Sequence, residues 1–392
     1  MTQPVKWSWK DELNDKLFEI RKHLHQHPEL SFQEHETQQY IAKVLDDWGI
    51  PYQTITDTGV YVDIEGAEDG KHIALRADID ALPIAEKSDV DFPSQNEGVM
   101  HACGHDGHTT ILLGAVYHLW QHRDQLKGSV RCIFQPGEEA DGAAEQLIQA
   151  GVLTDPQIEN IIALHVWPKL PLGTIGTIKG PVTASCDDFV LKVHGKGGHA
   201  ARPYEGIDAL AITHEIVQAL KFLETRVLDP VRPHLIHVGK VEGGQSNNSI
   251  ADEVVVEGSV RTVDHEMRQE IEAHFTRLVK ETAERFGDSV DIEYINGHPP
   301  VINDDEITDQ LEHSASQIVG EDNIIDLGQP SMGTDDFGYY SEQLPSTYFR
   351  LGISEAHETT YDLHHPQFKF NEEAIIYARR SLRNMHWICC TN

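Results

Sequence analysis

The stretch GVMHACGHDGHTT, residues 98–110, sets His101, Cys103, His105, Asp106 and His108 within eight positions. Thiolate and imidazole are metal-ligand types, and Cys103 and His105, two apart in a loop entering a helix, can both face one point. Such a donor pair suits zinc, nickel, cobalt or manganese, and a thiolate between two cations can bridge them. Further donors lie far along the chain: Asp78 and Asp80 after HIALR, Glu138 and Glu139 after VRCIF, His165 at the end of NIIAL, and His364 and His365 in YDLHHPQF. Adjacent glutamates point in different directions, so one can ligate a metal while the other faces a substrate as general base. Two ions about 3.5–4 Å apart would activate a bridging water and polarise a carbonyl.

Taken singly, these signals have plain accounts. Residues 101–108 could be a histidine-rich surface loop, since the chain holds 24 histidines. Acidic residues favour helix N-termini, which accounts equally well for Glu138–Glu139. A lone His165 reads as a core histidine. The case rests on their coming together at strand ends.

The elements that must position them follow from periodicity. Residues 10–48 read as two helices, the second closed by Gly49. Strand-like runs VYVDI, HIALRAD, SVRCIFQP and NIIALHVWP alternate with helical TTILLGAVYHLWQHRDQL and EEADGAAEQLIQAG, the pattern of a mixed, mostly parallel α/β sheet covered on both faces. Such sheets bind ligands beyond the carboxyl ends of their strands, where the candidate donors fall. From residue 183 the order becomes βαββαβ, the ferredoxin-like motif. After HPPVINDDE the α/β alternation resumes, with NEEAIIYARRSLRNMHWI as a closing helix. Residues 1–182 and 294–392 are thus expected to form a metal-binding domain and 183–293 an inserted α+β domain, with TIKGPVT and NGHPPVIN as hinges. No internal repeat or low-complexity tract is evident.

The inserted domain carries HGKGGHAARP. Its G-x-G-x-x-A spacing resembles a dinucleotide loop, but Pro203 opposes a helix starting there. The glycines allow close backbone approach, and His199 and Arg202 suit a substrate carboxylate or an oxyanion. H-E-x-x-H, G-x-S-x-G and Walker patterns are absent.

Composition narrows the function class. Asp plus Glu number 64 against 31 Lys plus Arg, a formal charge of −33, which repels phosphate backbones and anionic lipid. The first twenty residues show no apolar leader, and no run is long enough to span a bilayer, so a cytoplasmic protein is expected, without nucleic-acid or membrane partners. Five cysteines, including the terminal Cys389–Cys390 pair, make a poor disulfide framework.

MHACGHDGH, FQPGEE, ALHVWP, GKGGHAARPYEGIDA, GTDDFGYY and LHHPQF, in this order, resemble the amidohydrolase branch of the aminoacylase and carboxypeptidase metallohydrolases. That branch includes hippurate hydrolases, N-acetyl-diaminopimelate deacetylases and plant auxin-conjugate hydrolases. The resemblance spans nearly the whole chain. It implies a zinc-peptidase-like α/β domain with an inserted lid or dimerisation domain, and two divalent ions (Zn, Mn, Ni or Co) bridged by Cys103 and completed by His105, Glu139, His165 and His364. Glu138 would be the general base, His199 would stabilise the oxyanion, and Asn248 in QSNNSIADEV would help hold the substrate. Because lid residues of such proteins can come from a second subunit, a homodimer through the inserted domain is expected. Two departures stand out. Ala251 replaces a common proline, and Arg76-Ala-Asp78 stands where the wider family has His-x-Asp, so Asp78 is expected to orient a neighbouring histidine instead of binding metal.

The expected reaction is hydrolysis of an N-acyl amino acid by metal-activated water, Glu138 taking the proton and passing it to the leaving amine. Short peptides are the alternative substrates, and a metal-dependent binding protein without catalysis is the alternative class.

Overall fold

The computed structural model describes residues 11–140, 142–355 and 361–378. The Cys389–Cys390 pair lies outside them. So does most of the expected closing helix, of which residues 373–378 are described and helical. The chain divides into two compact units, one of Met1–Gly180, Asn303–Gln329 and Tyr339–Asn392, the other of Pro181–Ile302 and Pro330–Gly338. The second unit is larger than the expected 183–293 because a returning segment joins it. Thr183 bridges Ser331, the Ala184 N–H donates to the Gly333 carbonyl at 2.9 Å, and Arg261 donates to the Met332 carbonyl at 2.8 Å. The chain therefore crosses between the units four times, within TIKGPVT and NGHPPVIN and again at residues 329–330 and 338–339.

In the first unit an eight-stranded mixed sheet runs in the order Gln53–Ile55, Gly59–Glu65, Lys127–Gln135, Glu68–Asp78, Asn160–Pro171, Ser346–Ser354, Ile175–Thr177, Ile324–Asp326. The four longest central strands are mutually parallel. Their near-continuous apolar runs reflect burial on both faces: of Lys127–Gln135 only the first residue is exposed. Parallel pairing aligns the carboxyl ends, so Asp78 stands opposite Gln135 and Arg350 opposite His165. The helix His105–Gln121 is buried around most of its circumference, and its Ile111, Leu112, Leu113, Ala115, Val116 and Leu119 sit in the same core as Val60, Val130, Leu164 and Phe349.

In the second unit the strands His234–Gly243, Glu253–Thr262, Asp187–His194 and Val290–Ile295 form an antiparallel sheet in that order, the ferredoxin-like arrangement. Alternation along Asp187–His194 turns Phe189, Leu191 and Val193 inward. Helix His265–Arg285 meets this core with Met267, Ile271, Phe275, Val279 and Ala283, one residue per turn. Asp208 starts a second helix, Ala209–Phe222, and Asp264 starts His265–Arg285, by accepting the N–H groups of Leu210 and Met267 at 3.0 and 2.9 Å. Among the described residues no helix is long and apolar enough to cross a membrane.

Candidate active site

The strand ends deliver the donors. Cys103 is buried in the loop before helix His105–Gln121, and Gly104 between the two candidate ligands adopts φ +84°. A Cβ there would come within 2.6 Å of Val166 Cγ2, so glycine is required both for the turn and for close approach to the Asn160–Pro171 strand. Cys103 Sγ lies 3.3 Å from His165 Nε2 and 3.3 Å from His364 Nε2, and His364 Nε2 lies 3.1 Å from Glu139 Oε1. His364 itself sits at φ +63°, costly for a residue with a side chain, and its N–H is held by the Ala102 carbonyl at 2.9 Å. Of the five groups of metal-type donors among the described residues whose ligand atoms all lie within 4.8 Å of one another, two share the thiol, Cys103–His105–His165 and Cys103–Glu139–His364; Glu138 belongs to two others, with His105 and Glu139 and with Asp335 and Asp336.

Two of the imidazoles are aimed by their other nitrogen. His105 Nδ1 donates to the Asp80 carbonyl at 3.0 Å and to its carboxylate at 3.2 Å, leaving Nε2 buried without a hydrogen-bond partner. His165 Nδ1 donates to the Val166 carbonyl at 2.8 Å, leaving Nε2 for the cysteine. Such fixed tautomers are what metal-binding histidines need. Donors sharing a tetrahedral ion with bonds of about 2.0–2.3 Å stand about 3.3–3.8 Å apart, close to the Cys103–His165 and Cys103–His364 separations. The donor set therefore fits divalent metal.

Electrostatics agree. Burial opposes charge on His105, but Asp78, Asp80 and Glu139 outweigh it and push the imidazole up to about 10. Burial, then Glu139, Glu138 and Asp78, drives the Cys103 thiol well above its usual range. Burial, helped by His108 and Arg350, holds His165 neutral. This is a site too negative for a bare thiolate, where a cation would reverse the balance.

Glu138 is 7% exposed, and its Oε2 lies 3.8 Å from His105 Nε2. The structure thus gathers Cys103, His105, Glu138, Glu139, His165 and His364 from four chain segments. Asp78 touches a histidine, His108, whose Nδ1 donates to it at 2.5 Å while Nε2 accepts the Val166 N–H at 3.0 Å. Arg76, in place of the wider family's first histidine, donates to Asp78 at 2.7 Å and to Gln135 at 3.0 Å. In the second unit, His199 pairs with Ser249, the Ala200 N–H donates to the Asn248 carbonyl at 3.0 Å, and the Arg202 N–H to the His199 carbonyl at 2.8 Å. His199, Asn248 and Arg202 are therefore neighbours, and all three are exposed.

Three groups support the site in ways the sequence did not show: Asp80 and Asp106 stood there only as donor types, and Glu34 not at all. Asp80, fully buried, holds His105 with Oδ1 and accepts the Glu139 N–H (3.0 Å) and the Ser31 hydroxyl (2.7 Å) with Oδ2. Its Asp-x-Asp spacing from Asp78 at a strand end was the available signal. Glu34, also buried, accepts the Gly137 and Phe32 N–H groups and the Thr58 hydroxyl, fixing the turn before Glu138. Asp106 meets Arg21 at 3.1 Å and His25 at 2.7 Å, tying the start of helix His105–Gln121 to helix Asp11–Gln26. Nothing local in the sequence pairs residues more than eighty positions apart.

A catalytic α/β domain with clustered Cys, His and Glu donors defines the class, a metallohydrolase of the peptidase type. The model of peptidase family M20/M25/M40 matches residues 74–385, and the chain belongs to that family. It is 41% identical to N-acetyl-L-cysteine deacetylase of Bacillus subtilis over 93% of this chain and 86% of that protein. It is also 41% identical to N-acyl-L-amino acid amidohydrolase of Geobacillus stearothermophilus over 76% of this chain and 80% of that protein. Among solved structures, the YXEP protein of Bacillus subtilis, a dinuclear metal binding peptidase from the M20 family, superposes with a TM-score of 0.84 at 34% identity, covering 97% of this chain and 99% of that one.

Proposed function

We propose that this protein hydrolyses the amide bond of N-acyl amino acids, releasing a carboxylic acid and a free amino acid. The observation that carries the reading is the buried Cys103 thiol shared by two donor groups with Glu138 at their edge. Cys103, His105, Glu139, His165 and His364 would hold two divalent ions of Zn, Mn, Ni or Co type. When bound, such ions activate water and polarise the scissile carbonyl.

The rest falls to side chains. Glu138, held by a turn that Glu34 anchors, accepts the proton of the attacking water and returns it to the leaving amine. His199 Nδ1 accepts the Ala201 N–H at 3.1 Å, so Nε2 is free to donate to the developing oxyanion. Asn248 and Arg202 contact the substrate. Asp78 acts one layer back, through His108.

A homodimer through the second unit completes the reading. Its strand His234–Gly243 is a sheet edge with Leu235 and Val241 exposed, and Phe222 and Val231 are 59% and 83% exposed. An open apolar edge invites pairing. The cytoplasm is the favoured compartment, since a thiolate ligand is best kept in reducing surroundings.

Amine release should be measured from N-acetyl amino acids (N-acetylcysteine among them), hippurate, N-acetyl-diaminopimelate, indole-acetyl conjugates and dipeptides, with and without chelator after metal loading. Chelator-sensitive release from acyl amino acids is expected. Release from dipeptides alone would assign a peptidase, and silence with two ions bound would overturn the hydrolase reading. Light scattering of the purified protein checks the dimer.

A further inference from the structure

Four arginines are buried among the described residues: Arg21, Arg76, Arg131 and Arg350. Three have carboxylate partners, Arg21 with Asp106, Arg76 with Asp78 and Arg131 with Asp63, at 3.1, 2.7 and 2.7 Å. Arg350, 5% exposed, has none among the described residues. Its one side-chain hydrogen bond among the described residues runs from Nη1 to the Tyr348 hydroxyl at 3.2 Å. The guanidinium lies between two aromatic rings, 4.3 Å from Trp167 and 4.8 Å from Tyr348. Aromatic faces hold a cation in place, but they leave the donors along its edge unused. A buried charge without a counter-charge is costly, and the absence of one here is the exception among its own kind.

Its position is informative. Arg350 stands opposite His165 in the parallel ladder, so the two side chains leave the same face of the sheet near the carboxyl ends of their strands. Trp167 and Tyr348, two residues along each strand, share that face. The guanidinium is thus beside a candidate metal ligand, presenting a planar fork whose geometry matches a carboxylate. Arg202, the other candidate for this task, is 61% exposed and lies 3.7 Å from Glu205, so its charge is screened and partly matched.

We propose that Arg350 forms a carboxylate subsite next to the metal centre, taking the free carboxylate of an N-acyl amino acid or that of the acid released from it. The proposal rests on the hydrolase reading above. It adds a reason for that reading's substrate class: an acylated amine with no carboxylate would leave Arg350 buried and unmatched.

The test uses the metal-loaded, full-length protein carrying Glu138→Gln, in which turnover is expected to be slow enough for binding to be titrated. Calorimetry would measure the dissociation constants of an N-acetyl amino acid, its α-carboxamide and acetate, with Arg350 intact and with Arg350→Gln or Arg350→Lys. Arg350→Gln is expected to weaken carboxylate binding on the order of 10- to 100-fold, the size of hydrogen bonds to a charged group, with the carboxamide nearly unchanged and Arg350→Lys in between. A loss confined to the acyl amino acid identifies the substrate carboxylate, and a loss confined to acetate identifies the released acid; both support the subsite. Equal weakening of carboxylate and carboxamide, or no weakening of either, would overturn it, the first being what a purely structural arginine gives. Metal content and thermal midpoint identify a misfolded variant, for which Arg350→Lys supplies the deciding measurement. If the wild-type protein hydrolyses no acyl amino acid, the hydrolase reading fails, yet the same titrations still judge the anion subsite.

Discussion

The two groups of candidate functional residues are built in opposite ways. In the first unit Cys103, His105, Glu138 and His165 are all at most 7% exposed, His105 and His165 are each fixed through their second nitrogen, and of the candidate ligands only His364 is exposed. In the second unit His199, Arg202 and Asn248 stand in solvent, linked to one another by backbone hydrogen bonds and a two-residue ladder. The difference matches the two tasks proposed for them. Holding ions demands that donors stay within a few tenths of an ångström, which burial and hydrogen bonding enforce. Meeting a substrate that must enter and leave demands exposure, so precision there has to be recovered on binding.

That contrast can be broken by separating metal content from turnover. Glu138→Gln should lower kcat by about 10²- to 10⁴-fold while both ions remain, as read by elemental analysis beside steady-state rates. Loss of metal in step with activity would make Glu138 a ligand. His199→Ala should cost about 10²- to 10³-fold in kcat, the usual worth of an oxyanion donor, again with metal content unchanged. An unaltered kcat would remove His199 from the reaction and leave the exposed group without its main role.

Asp80→Ala tests the rigid side. Losing the group that orients both His105 and the Glu139 backbone should weaken metal binding by about 10- to 100-fold in chelator competition, and Asp80→Asn should do less. Unchanged affinity would mean that burial alone keeps the ligands in place.

The same site can also be probed without a substitution, through pH. With His105 raised to about 10 and Cys103 higher still than usual, both carry protons at neutral pH before metal arrives. Binding must expel them, so affinity should rise with pH by about tenfold per unit for each proton released, and fall toward acid. Calorimetry in buffers of different ionisation enthalpy counts those protons. A pH-independent affinity would show that the ligands are already deprotonated.

Much of the site was legible because ligand chemistry is local. Cys103 and His105 are two residues apart, Glu138 and Glu139 are adjacent, and the strand before each donor announces itself by its apolar run. The ferredoxin-like order was legible too, since alternation and helix-period stripes such as Met267, Ile271, Phe275 and Val279 are written into short windows. What failed to show was everything that depends on long separations. Asp80 reads as one more acid after a strand until it is seen to clamp both His105 and Glu139. Asp106 reads as a helix-start acid until Arg21 and His25 close on it. Pro330–Gly338 reads as part of the resumed α/β alternation until its backbone bonds place it with the second unit.

The sequence by itself determined which residues could bind metal, that one of two adjacent glutamates could carry a proton, and which segments would be strands or helices, because each of these follows from side-chain type and spacing over a few residues. Only the tertiary structure decided that one cysteine serves two donor groups, that one aspartate aims a histidine and holds a backbone, and that, among the described residues, Arg350 alone of the buried arginines lacks a counter-charge. Those facts are distances between residues remote in the chain, and no local pattern encodes a distance that sheet packing creates.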